Sequence, residues 1–182
     1  MPDWIWSYFF FLTDYSRRTI DNVPRAIKNL VKATVIQLNA GAQTPDPYAE
    51  QAIRRFKLDV IQDQDALAGA STDRVRENFR ALVRSFELRD DEDEWPAPTK
   101  HKVCLVLDAE RVELLADMGI DGDYREDMKK FMDTRVQVVD IQWKPSESTE
   151  DYRGYRYLSI TALRHMYDSL TGNGIVLEEY AG

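Results

Sequence analysis

The sequence predicts an α+β protein in which an N-terminal helical region precedes a βαββαβ arrangement, the split βαβ (ferredoxin-like) sandwich. Three observations predict it. Lys102-Val103-Cys104-Leu105-Val106-Leu107 is a continuous run, apolar after its first residue and too short for a helix, the pattern of a strand covered on both faces. Upstream, apolar residues recur at helical spacing over 23–38 and 75–86. Downstream of His101, β-branched and aromatic runs alternate with helical stretches that open on capping residues.

In order, Met1 to Tyr15 carries Trp4, Ile5, Trp6, Tyr8, Phe9, Phe10, Phe11 and Leu12, the densest aromatic cluster of the chain. It lacks the basic start and small-residue cleavage site of a signal peptide, and it is shorter than the ~20 apolar residues of a membrane-spanning helix. Docking against the protein's own core or a partner is the expectation. The alternative is peripheral membrane contact supported by Arg17 and Arg18. Asp21-Asn22-Val23-Pro24 signals a helix start, and Val23, Ile27, Leu30, Val31, Thr34, Val35 and Leu38 form its apolar stripe. Asn39-Ala40-Gly41 ends it.

After a proline-bearing loop, Tyr48 to Leu67 reads as a helix, although Leu58-Asp59-Val60-Ile61 strains the spacing. Ser71, Thr72 and Asp73 cap a clearer one, whose Arg74, Arg76, Arg80 and Arg84 are expected on a solvated face. Five consecutive acids, Asp90 to Glu94, then lead into Trp95-Pro96-Ala97-Pro98, a linker composition. The expected segments are therefore 1–40, 41–98 and an α+β domain over 99–182. In that domain Asp108 caps a helix after the first strand and Tyr124 to Met132 forms a second short helix. Arg135 to Trp143 and Arg153 to Ile160 are strands, a helix follows through Leu163 and Leu170, and Ile175-Val176-Leu177 closes the sheet.

The lone Cys104 allows no intramolecular disulfide and fits a reducing, intracellular setting. The formal charge of −8 argues against nucleic acid as a partner, and only residues 1–40 carry more basic (5) than acidic (3) side chains. No phosphate-cradling glycine loop, zinc spacing or nucleophile elbow is present, so no cofactor and no catalytic set is expected. Asp108 and Glu110, joined by Asp140, form the one carboxylate set that could hold magnesium for phosphoryl transfer or nuclease chemistry. Asp117, Asp121, Asp123, Glu126 and Asp127 crowd Gly119 and Gly122 without the spacing of a calcium loop.

Arg153-Gly154-Tyr155-Arg156-Tyr157-Leu158-Ser159-Ile160 resembles the aromatic octamer of the RNA recognition motif. That resemblance implies base stacking on Tyr155 and Tyr157 and a phosphate contact from Arg153. Arg156 stands where the motif has glycine or alanine, and Ile160 where it has an aromatic. The leading expectation is a non-catalytic, intracellular interaction protein, an adaptor or complex subunit, that engages a protein partner or a second copy. Its candidate contact residues are Trp4, Trp6, Phe9, Phe10, Tyr155 and Tyr157.

Overall fold

The structure, a computed structural model, describes residues 7–39, 50, 53–54, 56–85, 99–149, 151–172 and 176–178. Its described elements are β1 (Ser7–Leu12), α1 (Arg17–Leu38), β2 (Lys57–Ile61), α2 (Gln64–Leu67), α3 (Thr72–Ser85), β3 (Val103–Leu107), α4 (Ala109–Asp117), α5 (Tyr124–Asp133), β4 (Arg135–Asp140), β5 (Tyr155–Ser159) and α6 (Leu163–Gly172). The five strands form one mixed α/β sheet in the order β2-β1-β3-β4-β5. β1 runs parallel to both β2 and β3, whereas β3, β4 and β5 form an antiparallel meander.

β1 is central because its residues leave no alternative. Ser-Tyr-Phe-Phe-Phe-Leu has no polar face to turn to water, and all six residues are buried. Tyr8, Phe10 and Leu12 point to one face, where α1 supplies Val23, Ala26, Leu30 and Ala33 and α4 supplies Val112 and Leu115. Phe9 and Phe11 point to the other, where both meet Phe79 of α3 edge to face, at centroid distances of 6.2 and 5.8 Å. The connections explain the layers. β1 to β2 steps outward through α1, and β2 to β3 steps back over β1 through α3, so right-handed crossovers put the two helices on opposite faces. The aromatic residues of β1 thus lie between the two helical layers of a helix-sheet-helix sandwich.

This corrects several expectations. A ferredoxin-like sandwich needs an all-antiparallel sheet with helices on one face only; here three strands are parallel and helices cover both faces. The first described element is a strand, and the first described helix begins earlier than Asp21, at Arg17. Ser16 caps it by accepting from the Thr19 amide, and Pro24 lies inside. Leu58-Asp59-Val60-Ile61 belongs to β2, an edge strand whose half-exposed residues disguise it as part of a helix. The expected closing strand is not formed at Val176 and Leu177; Leu177 is a buried turn residue, and Ile175 lies outside the described residues. The boundaries drawn at residues 40 and 98 run through one sheet, since β1 of the first segment pairs directly with β3 of the third through Phe10↔Leu105, Phe11↔Val106 and Leu12↔Leu107.

The arginine face of α3 is also not simply solvated. Arg76 is 3% exposed; its Nε donates to the Asp140 carbonyl at 2.8 Å and its Nη2 to the Gly154 carbonyl at 3.0 Å. Its guanidinium lies 4.4 Å from the centre of the Trp143 ring, and Asp73 takes its remaining charge. Arg80 reaches the carbonyls of Ile141 and Trp143 at 2.8 and 2.7 Å. Together they clamp the β4–β5 connection to the helix. Gly154 stands at φ +74, and a Cβ there would fall 2.5 Å from the indole of Trp143 and 2.6 Å from Arg76 Nη2.

Two outcomes follow. Gly154→Ala loses about 2–5 kcal/mol in urea unfolding, from roughly 1–2 for the left-handed backbone and about 1–3 for the displaced indole and guanidinium; an unchanged midpoint would refute the clamp. A fragment of residues 99–182 shows no cooperative unfolding by near-ultraviolet dichroism, because β3 loses β1 along one whole edge together with the cover of α1 and α3.

Candidate interaction surface

β5 ends the sheet, and its register shows which backbone groups it leaves outward. The Asp140 amide donates to the Gly154 carbonyl and the Ile160 amide to the Thr134 carbonyl, both at 3.0 Å. Between those bonds the hydrogen-bonded pairs of an antiparallel ladder alternate, so Arg156 and Leu158 face β4 while the amides and carbonyls of Tyr155, Tyr157 and Ser159 point away from it. Among the described residues no strand pairs with that outer edge.

Side chains on the α3 side of this edge form an aromatic platform. Tyr155 is half-buried against the cluster that contains Val139 and Phe79, whereas Tyr157, one step beyond the reach of α3, is 42% exposed. The two rings meet edge to face at 6.0 Å. Gln137, across the ladder from Tyr157, is tied to Thr72 at the start of α3 by a 3.0 Å bond. The Arg111 guanidinium caps Tyr157 at 5.0 Å from the ring centre, held by Asp108 at 3.1 Å and Glu110 at 2.5 Å. Arg135 and Arg153 are exposed and make no ion pair among the described residues. On the opposite face Arg156 lies over the Tyr152 ring at 5.4 Å and donates to the Leu177 and Glu178 carbonyls at 3.2 and 2.5 Å.

The other candidates fall elsewhere. Trp4 and Trp6 lie outside the described residues. Phe9 and Phe10 are buried on opposite faces of β1, so neither presents a surface to a partner or a membrane. Among the described residues no helix is long and apolar enough to cross a membrane. The carboxylate set is not assembled: Asp140 pairs with Val103 at the start of β3, whereas Asp108 and Glu110 follow its end, roughly 16 Å away at about 3.3 Å per residue. Asp140 is engaged by the Tyr152 hydroxyl and the Gln142 amide, both at 2.8 Å. Burial and the Asp140 charge push the Tyr152 phenol far above its ordinary range. Asp108 caps α4 by accepting from the Arg111 amide at 2.8 Å. Cys104 is buried beneath α3, which raises its thiol pKa well above the usual value and leaves it unfit as a nucleophile.

Reading the sequence singled out both tyrosines but missed Arg111 and Arg135. Parity would have found Arg135, since Arg135, Gln137 and Val139 alternate onto one face. Nothing local to Arg111 signals that it reaches across the sheet edge to a ring 46 positions downstream.

The acidic turn has a structural task. Asp127 is fully buried and accepts from the amides of Asp121 and Gly122 at 3.1 and 2.9 Å, with Lys130 3.7 Å away. Burial opposes its charge, yet the two amides and Lys130 outweigh that and hold its carboxyl below the ordinary 3.8. Among the described residues no group of His, Cys, Asp and Glu is arranged to hold a metal ion. A carboxyl depressed in the folded state stabilises above its unfolded value and loses that contribution as pH falls through the folded one. Asp127→Asn is therefore less stable than the parent at pH 6, and their thermal midpoints converge as pH falls below 3.8; a gap that persists at low pH would refute this. No family model, curated protein or solved structure matches this chain, so the surface is interpreted from its own geometry.

Proposed function

We propose that this chain is a non-catalytic, intracellular interaction module, an adaptor or complex subunit, that binds an extended protein segment along the outer edge of β5. One observation carries the reading: Tyr157 is large, apolar and exposed on a terminal strand whose outward amides and carbonyls have no strand beside them among the described residues. An added strand would satisfy those groups, and alternate side chains of the visitor would rest on the tyrosines. The buried, unpaired Cys104 agrees with a reducing compartment. Asp108 and Asp140 at opposite ends of the sheet give a carboxylate-metal reaction nothing to build on.

A second reading draws on the same pair. Stacking of RNA bases needs exposed rings beside unpaired cations, and Tyr157 with Arg135 offers one of each. Three points favour protein: Tyr155 is half-buried, the Arg111 charge is already met by Asp108 and Glu110, and the net charge is −8.

Ser159→Pro separates edge pairing from folding. Ser159 already has φ −64, the value proline imposes, and its amide points outward, so the substitution removes an edge donor and no β4–β5 bond. Peptides selected by the parent from a random displayed library lose about tenfold or more in affinity for Ser159→Pro and for Tyr157→Ala, with melting temperatures unchanged for Ser159→Pro. Equal binding by both variants, or selection of single-stranded RNA with no peptide, overturns the proposal.

A further inference from the structure

At the opposite end of the sheet from β5, the segment around β2 carries its charges in two blocks. From residue 51 to 58 the charged side chains are all basic, Arg54, Arg55 and Lys57, and from 59 to 65 they are all acidic, Asp59, Asp63 and Asp65. Lys57 and Asp59 are exposed and share the α3 face of the strand, because Lys57, Asp59 and Ile61 pair in register with Ser7, Phe9 and Phe11 of β1. β1 lies along one side of β2, and among the described residues no strand lies along the other.

The other face of this edge is apolar. Leu58 and Val60 lie half-buried in the cluster beneath α1. α1 gives one flank to α4, through Arg18 on Glu113, Arg25 on Asp117 and the Asn29 amide on the Leu115 carbonyl. Because α4 packs on β3 and β3 flanks β1 on the side away from β2, the opposite flank of α1 is the one on the β2 side. Ile20, Ile27 and Val31, at i, i+7 and i+11, occupy it, and Ile20 and Val31 are each 37% exposed. The outer edge of β2 is thus bordered by exposed charge on one face and exposed apolar surface on the other.

The charge order selects the occupant. Pairing β2 antiparallel with β2 of a second copy brings the basic block of each chain beside the acidic block of the other. It selects the register as well. With Leu58 opposite Leu58 on the two-fold axis, Lys57 of each copy faces Asp59 of the other. A slip of two residues, the smallest that keeps every side chain on its face, sets Lys57 against Lys57 in one direction and Asp59 against Asp59 in the other. The same axis turns the exposed flank of each α1 toward its copy. We infer that this chain forms a two-fold symmetric dimer through β2, in which two five-stranded sheets join into one continuous sheet. The dimer goes beyond the β5 reading and does not depend on it, since β5 lies at the far end of the sheet and stays outermost in both copies.

The test is sedimentation equilibrium of the full chain over about a hundredfold range of concentration. The parent is expected to dimerise. Asp59→Lys, which sets lysine against lysine twice, weakens the dimer about tenfold or more, and the exchanged pair Lys57→Asp/Asp59→Lys regains it, because this register opposes the same charges in reverse. Mixing Lys57→Asp with Asp59→Lys gives a heterodimer tighter than either variant forms with itself. Both positions are exposed, and the rescue and the mixture each separate a broken contact from a broken fold. A parent that stays monomeric up to about 100 μM overturns the inference. So does a dimer indifferent to Asp59→Lys, or one that the exchanged pair leaves as weak as the single variant. A dimer dissolved by Ser159→Pro and not by Asp59→Lys overturns it and moves the contact to β5.

Discussion

β1 has no side that tolerates water. Tyr8, Phe10 and Leu12 on one face and Phe9 and Phe11 on the other are each at most 5% exposed. Burying a side chain of this size contributes about 1.5–3 kcal/mol, so the strand outweighs most other single elements of the core. Both helical layers exist to cover it. α1 cannot leave one face, nor α3 the other, without exposing aromatic rings, and β2 and β3 are the strands that satisfy its backbone on either edge. The one polar atom that comes with these rings, the Tyr8 hydroxyl, is handed to the Leu163 carbonyl at 2.6 Å, which ties α6 to the centre of the sheet.

From that constraint the position of β5 follows. α3 must sit over β1 and β3 to cover Phe9, Phe11, Cys104 and Val106, and its width is spent by the time it reaches Val139 and the inner part of Tyr155. The outermost strand is left with a half-covered ring and an open one. The exposed part of the sheet is the part that a helix serving the centre does not reach.

Much of the second half was legible from residues alone. β3 was found from its unbroken apolar run, α4 from Asp108 as cap, and the strands around Val136 to Val139 and Tyr155 to Leu158 from β-branched and aromatic enrichment. The same run rule describes Ser7 to Leu12, followed by Thr13-Asp14-Tyr15-Ser16 as β3 is followed by Asp108, yet aromatic density at the start of the chain pointed only to a segment docked on the core or a partner and not to a strand within the sheet. Strand order was not legible, because the pairing of β1 with β3 joins residues 95 positions apart with no local mark. At the surface, Tyr155 and Tyr157 stood out by alternation. The unequal exposure of the pair depends on where α3 stops, which no local pattern records.

The clamp of Arg76 and Arg80 has a further consequence. Both guanidinium groups grip main-chain oxygens of Asp140, Ile141, Trp143 and Gly154. A carbonyl is the same whichever residue bears it, so this attachment is blind to the side chains at exposed positions such as 142 and 153. The stretch between β4 and β5 is then free to drift in composition at its exposed positions while its path stays put, although Ile141 and Tyr152 are held by the core they pack into. Gly154 is denied that freedom by the lack of room for a Cβ, and Trp143 by the cation over its ring. The connection beside the outermost described strand is thus held in place by a contact that permits variation, so new side chains can appear along this border without costing the fold its shape.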